Sequence, residues 1–258
     1  MNTLIGDIGN TITKVCLINK KNYKVIKIIH LDSNKIFLQN YLLKKLKTIV
    51  EYKTLDKMAL FSSVVPKHFL LLKNFFKKFV KIKLIEIKEK KIDKIVKINI
   101  KKKNQVGSDR IANAVGAYIK YKSNCIVLDF GTATTFDVIT KNGFYNGGII
   151  APGVKLSIKS LIKSADQIPP FFIKKQKKII GKNTIEALRS GFYWGYSGLI
   201  NNIIFKIEKE TKKKYKIVLT GGYAELFKKS FIKPVDVDKN ITINGIIEIF
   251  KINKKKLS

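Results

Sequence analysis

The sequence predicts an α/β fold made of two related halves, each a β-sheet packed with helices, and three observations lead there. Val127–Ile139 (Val-Leu-Asp-Phe-Gly-Thr-Ala-Thr-Thr-Phe-Asp-Val-Ile) is an apolar run, a tight turn at Asp129-Phe-Gly-Thr132, and a second apolar run, the pattern of two buried strands joined by turn residues. Leu4–Ile18 repeats the design, with Asp7 on Asp129, Gly9 on Gly131, Asn10 on Thr132 and Thr13 on Thr135. Elsewhere, strand-length apolar runs alternate with helix-length amphipathic ones, the mark of strands joined by helical crossovers. The duplicated hairpins place the expected division at residues 1–116 and 117–258.

In the first half, Tyr23–Ile29 alternates as a third strand, and Ser33-Asn34 could cap a helix over Ile36–Val50, where Phe37, Tyr41, Leu42 and Leu46 recur at helical spacing. Met58–Val65 reads as a strand, Pro66 opens a helix to about Phe79, and Lys81–Ile87 returns as a strand. Lys88–Lys103 is lysine-rich with weak periodicity, an edge strand and loop. The helix from Ile111 to Ile119 follows Gly107-Ser108-Asp109-Arg110, with Ser108 or Asp109 as its expected cap.

In the second half, the hairpin is followed by a strand at Phe144–Ile150 and a helix at about Val154–Ser164. Pro169-Pro170 and Lys174–Lys178 predict an irregular, exposed segment, and a long helix then runs from Gly181-Lys-Asn-Thr184 to about Lys212. Gly191 and Gly195, one turn apart on it, would let another helix approach closely. Lys216–Thr220 is a buried strand ending at Gly221-Gly222, a helix follows it, Ile241–Phe250 is a final helix, and Lys254–Ser258 is expected to fray.

Composition limits the function. A chain of 258 residues that is 45% apolar buries a substantial core, and no apolar run reaches the roughly 18 residues of a membrane helix. No membrane partner is expected. Met1 leads into a strand without a basic region and signal core, which predicts a cytoplasmic protein. Cys16 and Cys125 lie in strand-like runs and are expected to be reduced and buried. The net charge of +34 would suit a polyanion partner, but lysine is spread through every segment and only Arg110 and Arg189 are arginine. With no aromatic-and-basic nucleic-acid motif and no zinc-ligand spacing, a solvated lysine surface is the preferred reading, and nucleic acid is not expected as a partner. His30 and His68 read as surface or packing residues, and Arg189 as a site residue or a structural ion-pair residue.

The two Asp-x-Gly hairpins, Thr220-Gly221-Gly222 and the duplicated sheets resemble the two-domain actin-like (ribonuclease H-like) fold of sugar kinases and heat-shock ATPases, which implies an interdomain ATP cleft. More specifically, the chain resembles the type III pantothenate kinases. The motifs are Asp7-Ile-Gly9-Asn10-Thr11-Ile-Thr-Lys14, Ser63-Val-Val-Pro66, Gly107-Ser-Asp109-Arg110, Asp129-Phe-Gly131-Thr132-Ala-Thr-Thr135, Gly147-Gly148 with Pro152-Gly153, Gly181-Lys-Asn-Thr184 and Thr220-Gly221-Gly222, in the family's order.

The resemblance implies ATP-dependent phosphorylation of the primary hydroxyl of pantothenate, the first step towards coenzyme A, with Mg²⁺ or another divalent cation, with K⁺ or NH4⁺, and in a homodimer. Asp7 would hold Mg²⁺, as a hard oxygen ligand suits that ion. Gly9, Asn10, Thr11 and Lys14 would surround phosphates, with Gly131 and Thr132 contributing from the second hairpin. Asp109 would be the general base. Gly107 and Arg110 would seat pantothenate with Asp109, Asp129 would bind the monovalent cation, and Gly221-Gly222 would line the adenine side. Thr184 would reach pantothenate from the neighbouring subunit. The chain departs from the family pattern at Lys102-Lys103, which replaces an Asn-Pro pair, in the lack of an aromatic within Lys91–Val106, and at Ser108, which replaces alanine. These departures bear on the shape of the pantothenate pocket. The rival readings are a non-catalytic transcriptional accessory protein of the same fold, and a same-fold kinase acting on another small alcohol.

Overall fold

The computed structural model describes residues 2–50 and 55–253. Its contacts divide the chain into a first unit, up to Lys120 and again from Asn240, and a second unit, Tyr121–Lys239.

The first unit opens with an antiparallel meander, β1 (Asn2–Ile8), β2 (Ile12–Asn19) and β3 (Val25–Asp32). Helix α1 (Gln39–Val50) then carries the chain over to β4 (Met58–Ser63), parallel to β1, and α2 (Pro66–Phe75) carries it to β5 (Lys83–Glu86), parallel to β4. Parallel neighbours need such crossovers, and the sheet order is β3-β2-β1-β4-β5. Leu4, Ile8, Val15, Leu17, Leu42, Leu46, Phe61, Leu72 and Phe76 form the core beneath these helices. A two-residue strand β6 (Lys97–Ile98) and α3 (Ser108–Tyr121) follow.

α1 starts later than its periodicity suggests. Residues Ser33–Lys35 form a separate 3-10 turn, capped by Asp32 accepting from the Asn34 N–H at 3.0 Å. Phe37 is therefore outside the helix and 67% exposed. Residues 51–54 and the expected frayed tail at 254–258 lie outside the described residues.

In the second unit, β7 (Cys125–Phe130), β8 (Ala133–Ile139) and β9 (Phe144–Pro152) make a second antiparallel meander, followed by α4 (Val154–Ser164) and the long α5 (Thr184–Thr211). β10 (Lys216–Gly221) returns parallel to β7, and after α6 (Ala224–Phe227) the short β11 (Val235–Val237) pairs parallel to β10. These strands are ordered β11-β10-β7-β8-β9. Their core is aromatic, with Phe227 stacked between Phe130 at 5.2 Å and Tyr193 at 5.8 Å. The irregular segment before α5 is less exposed than its composition suggests. Phe171 and Ile173 insert into the core, and Arg189 holds the segment by donating Nε to the Phe172 carbonyl at 3.3 Å with its guanidinium 5.0 Å from the Phe172 ring.

The last helix, α7 (Ile241–Asn253), belongs to the first unit, where the sequence boundary at 116/117 would put it in the second. Glycine explains the docking. A Cβ on Gly245 would lie 1.8 Å from the Ala112 carbonyl oxygen, and one on Gly116 2.4 Å from that of Ile241. α3 and α7 thus touch backbone to backbone, and Thr242 donates its hydroxyl to Asn113 Oδ1 at 2.7 Å inside the contact.

Candidate active site

The expected site residues fall into a cluster in each unit and a groove in the second. In the first unit, the carboxyl ends of the parallel strands bring polar residues together. Asp7 on β1 lies in register with Ser62 on β4 and with Lys14 on β2. The buried Ser62 hydroxyl donates to Asp7 Oδ1. Burial pushes the Asp7 carboxyl up to about 6, opposed by the Ser62 hydrogen bond, reinforced by the nearby charge of Asp109 and countered by Lys14.

The turn after Asp7 is tied down. Gly9 N–H donates to the Ile12 carbonyl at 3.2 Å, the Ser33 hydroxyl donates to the Gly9 carbonyl at 2.7 Å, and Ser33 N–H donates to the Thr11 carbonyl at 3.1 Å. Asn10 and Thr11 are exposed at its tip.

Asp109 occupies the first turn of α3. Its Oδ1 accepts from the Arg110 N–H at 2.7 Å, and burial raises its pKa against the opposing effects of that hydrogen bond, the Arg110 charge and Lys88. The helix cap is Gly107, whose carbonyl accepts from the Ile111 N–H at 3.1 Å, and not Ser108 or Asp109 as the sequence suggests. A Cβ on Gly107 would stand 2.5 Å from Asp109 Oδ1, so a side chain there would push the carboxyl aside. Ser108 is 1% exposed and donates its hydroxyl to Glu86 at the end of β5. Burial raises the Glu86 carboxyl, against the hydrogen bonds it accepts from Ser108 and Lys88. Ser62 and Glu86 are the residues that pattern reading passes over. Their signal is slight: a polar side chain at the carboxyl end of a strand.

In the second unit, Asp129 on β7 lies in register with Thr135 on β8 and Thr220 on β10. Gly221 has φ +84, and a Cβ there would lie 2.6 Å from Asp129 Oδ1 and 2.6 Å from the Phe130 carbonyl oxygen. Gly222 N–H donates to that same carbonyl at 3.1 Å. The Thr220-Gly221-Gly222 turn is therefore seated on the Asp129 hairpin, and Gly131 and Thr132 are exposed at its tip. A Cβ on Gly153 would meet the Thr132 carbonyl oxygen at 2.1 Å, so the start of α4 closes on the same turn.

Thr184 is apart from that turn, as the first residue of α5. Asn183 caps the helix by accepting from the Glu186 N–H at 2.9 Å, and Thr184 lines an apolar groove of about 610 Å³ between α4 and α5 with Ser157, Leu188, Gly191, Gly195 and Tyr196. His30 is exposed on β3, and Cys16 and Cys125 are free, buried thiols as expected. Among the described residues no three His, Cys, Asp or Glu side chains gather as a metal cluster, and no helix is long and apolar enough to cross a membrane.

The donor sets fit the cations the resemblance implies. Mg²⁺ in phosphoryl-transfer sites takes one or two carboxylates together with phosphates and waters, and Asp7 is a partly buried carboxyl whose pKa is already raised. Beside Gly221, an Asp129 oxygen and the Phe130 carbonyl converge, oxygen ligands of the kind a hard monovalent ion takes.

The family model for type III pantothenate kinase matches residues 3–206. The type III pantothenate kinase of Pelagibacter ubique is 51% identical over 244 residues, covering 95% of this chain and 96% of that protein. That of Phenylobacterium zucineum is 38% identical over 198 residues, covering 77% of each. Among solved structures, a protein assigned to the Baf family of transcriptional activators, from Campylobacter jejuni, matches with a TM-score of 0.61 at 22% identity over 98% of this chain and 99% of that one. MreB 5 of Spiroplasma citri, bound to AMPPNP, matches with a TM-score of 0.54 at 14% identity over 99% and 97%. At such identities these two likenesses show the fold alone, a two-sheet actin-like α/β fold.

Proposed function

The chain belongs to the type III pantothenate kinase family, and from that premise we propose how its residues divide the work. The activity itself is ATP-dependent phosphorylation of pantothenate to 4'-phosphopantothenate, the first step of coenzyme A synthesis. The single observation carrying our assignment is the seating of the Asp109 carboxyl on the first turn of α3, beside a glycine where a Cβ would stand 2.5 Å from it and within electrostatic reach of Asp7.

Phosphoryl transfer asks a protein for positioning and charge neutralisation. We assign Asp109 as the base that accepts the proton of the pantothenate hydroxyl as it attacks. Its raised pKa brings it nearer to working pH, where a base accepts protons more readily. Gly107 keeps the space beside it clear, and Arg110 is placed on the same turn to meet the substrate carboxylate with a forked guanidinium. Lys14, Asn10, Thr11 and the Gly9 backbone supply positive charge and donors for the phosphates, with Gly131 and Thr132 as their counterparts in the second hairpin. Gly221 and Gly222 leave room for the adenine. Asp7 would hold magnesium, which when bound neutralises charge on the phosphate oxygens, and Asp129 would hold potassium or ammonium.

We further assign a homodimer. Thr184, Leu188, Gly191, Gly195 and Leu199 share one face of α5 along the apolar groove, and a Cβ at Gly191, Gly195 or Gly198 would meet nothing within 4 Å. Each glycine inside a helix forfeits up to about 1 kcal/mol relative to alanine, which a closely approaching partner helix would offset. Thr184 would then reach the partner's pantothenate. The buried free thiols suit a reducing compartment, and we place the enzyme in the cytoplasm.

The test is ATP-dependent phosphorylation of pantothenate with and without potassium. Turnover should require the cation and fall by about 10²–10⁴ in Asp109→Asn, with ATP binding retained. A folded protein without turnover, or an Asp109→Asn variant of full activity, would refute the assignment.

A further inference from the structure

Asp109 can serve the first turn of α3 in two ways. Inside the helix, its carboxyl accepts from the Arg110 N–H; or, since aspartate is a better N-cap than glycine, it can become the cap of a helix shortened by two residues. A cap residue takes extended backbone angles and turns its side chain onto the N–H groups of its own helix, so the second state would withdraw the carboxyl from its present place. The sequence alone favours a cap at Ser108 or Asp109, yet the helix begins at Ser108 with Gly107 as its cap.

The contact that opposes the shorter helix comes from β5. Glu86, its last residue, receives the Ser108 hydroxyl on Oε1, while its Oε2 accepts from the Lys88 N–H at 2.6 Å. Both carboxylate oxygens are committed. The Glu86 N–H donates in turn to Glu89 Oε1 at 3.1 Å, which closes the 3-10 turn Ile87–Glu89 on itself. From that turn Lys88 Nζ reaches the Asn104 carbonyl at 3.4 Å, in the stretch leading to Gly107. One short turn thus grips both the first residue of α3 and its approach. Ser108 is buried, so a frayed first turn would take from the Glu86 Oε1 the hydroxyl that now donates to it and leave that oxygen to be satisfied elsewhere.

We propose that Glu86, acting through Ser108, is a positioning residue for the kinase reaction: it holds the first turn of α3, and with it the Asp109 carboxyl, in place. The inference rests on the assignment of Asp109 as base. It predicts that the hydrogen bonds of Glu86 matter and its charge does not. Glutamine can reproduce both bonds, its oxygen accepting from Lys88 and its amide donating to the Ser108 oxygen.

The experiment compares Ser108→Ala, Glu86→Ala, Glu86→Gln and Asp109→Asn in pantothenate phosphorylation. Ser108→Ala and Glu86→Ala should lower kcat about 10- to 100-fold, with the KM for ATP within about twofold. Glu86→Gln should keep kcat within about threefold of the parent. If Ser108→Ala and Glu86→Ala fold and keep kcat, the inference is overturned. It is equally overturned if their loss falls on the KM for ATP and not on kcat, or if Glu86→Gln fails as badly as Glu86→Ala. Should Glu86→Ala not fold, Ser108→Ala decides by the same criteria. Asp109→Asn reports separately on the base: full activity there refutes that assignment whatever the Glu86 variants do.

Discussion

Asp7 is held in place at a cost to the fold. Its carboxyl is raised from the ordinary 3.8 to about 6, mainly by burial, so between those values the folded chain binds more protons than the unfolded one. Stability attributable to this group therefore falls as pH rises through that window and is lowest above it. Asp7→Asn should raise the unfolding free energy at pH 7.5 by about 1–3 kcal/mol, with the gain shrinking towards pH 4, while phosphoryl transfer is lost. Thermal unfolding at the two pH values, beside the kinase assay, checks both halves. In the parent enzyme the same residue gives an acid limb: activity should decline as pH drops through about 6, where Asp7 takes up the proton that a bound cation would displace, and added magnesium should shift the limb downward. Ser62 illustrates what sequence reading misses at this scale. Its partner lies 55 residues away in the chain, and only the parallel pairing of β1 with β4 brings hydroxyl and carboxyl together.

The elements themselves were largely legible. Both hairpins, α4 and the start of α5 stand where periodicity and turn residues put them, because strands buried on both faces and helices with one apolar stripe leave strong patterns. The failures have local causes. The stretch before α1 has helical spacing, but Asp32 stabilises a separate 3-10 turn there. β11 is three residues long, too short for alternation to register, and exists because β10 offers it an edge. The cap of α3 was misplaced because Ser108 is engaged by Glu86, a tertiary contact that overrides local capping preference. Of the site, the residues on the two hairpins, α3 and β10 were legible as motifs, whereas Glu86 carries no motif at all. Helix packing gives the sharpest prediction at this scale. Gly245→Ala puts a methyl 1.8 Å from the Ala112 carbonyl oxygen, and backbone cannot yield as a flexible side chain would. It should destabilise the protein by about 2–4 kcal/mol, measured by denaturant unfolding, although alanine is the better helix former.

At the scale of the molecule, the groove along α5 predicts a solution state. Gly195 faces open space in the single chain, so Gly195→Arg should fold normally. It should also convert a dimer to a monomer by light scattering and depress pantothenate phosphorylation while leaving ATP binding intact. A dimer that persists in this variant would move the interface elsewhere. The net charge of +34 works on a longer range. It should attract anionic substrates, an effect that salt weakens, so kcat/KM should fall with ionic strength more than kcat does. The placement of α7 adds a constraint on how the molecule is made. Chains fold domain by domain as they leave the ribosome, yet the first unit lacks the helix that packs on α3 until residues beyond Asn240 have emerged. The second unit is synthesised whole in the interval. The half that begins first is therefore finished last, and during that delay the backbone of α3 at Ala112 and Gly116 waits uncovered, a surface for chaperones to shield in the nascent chain.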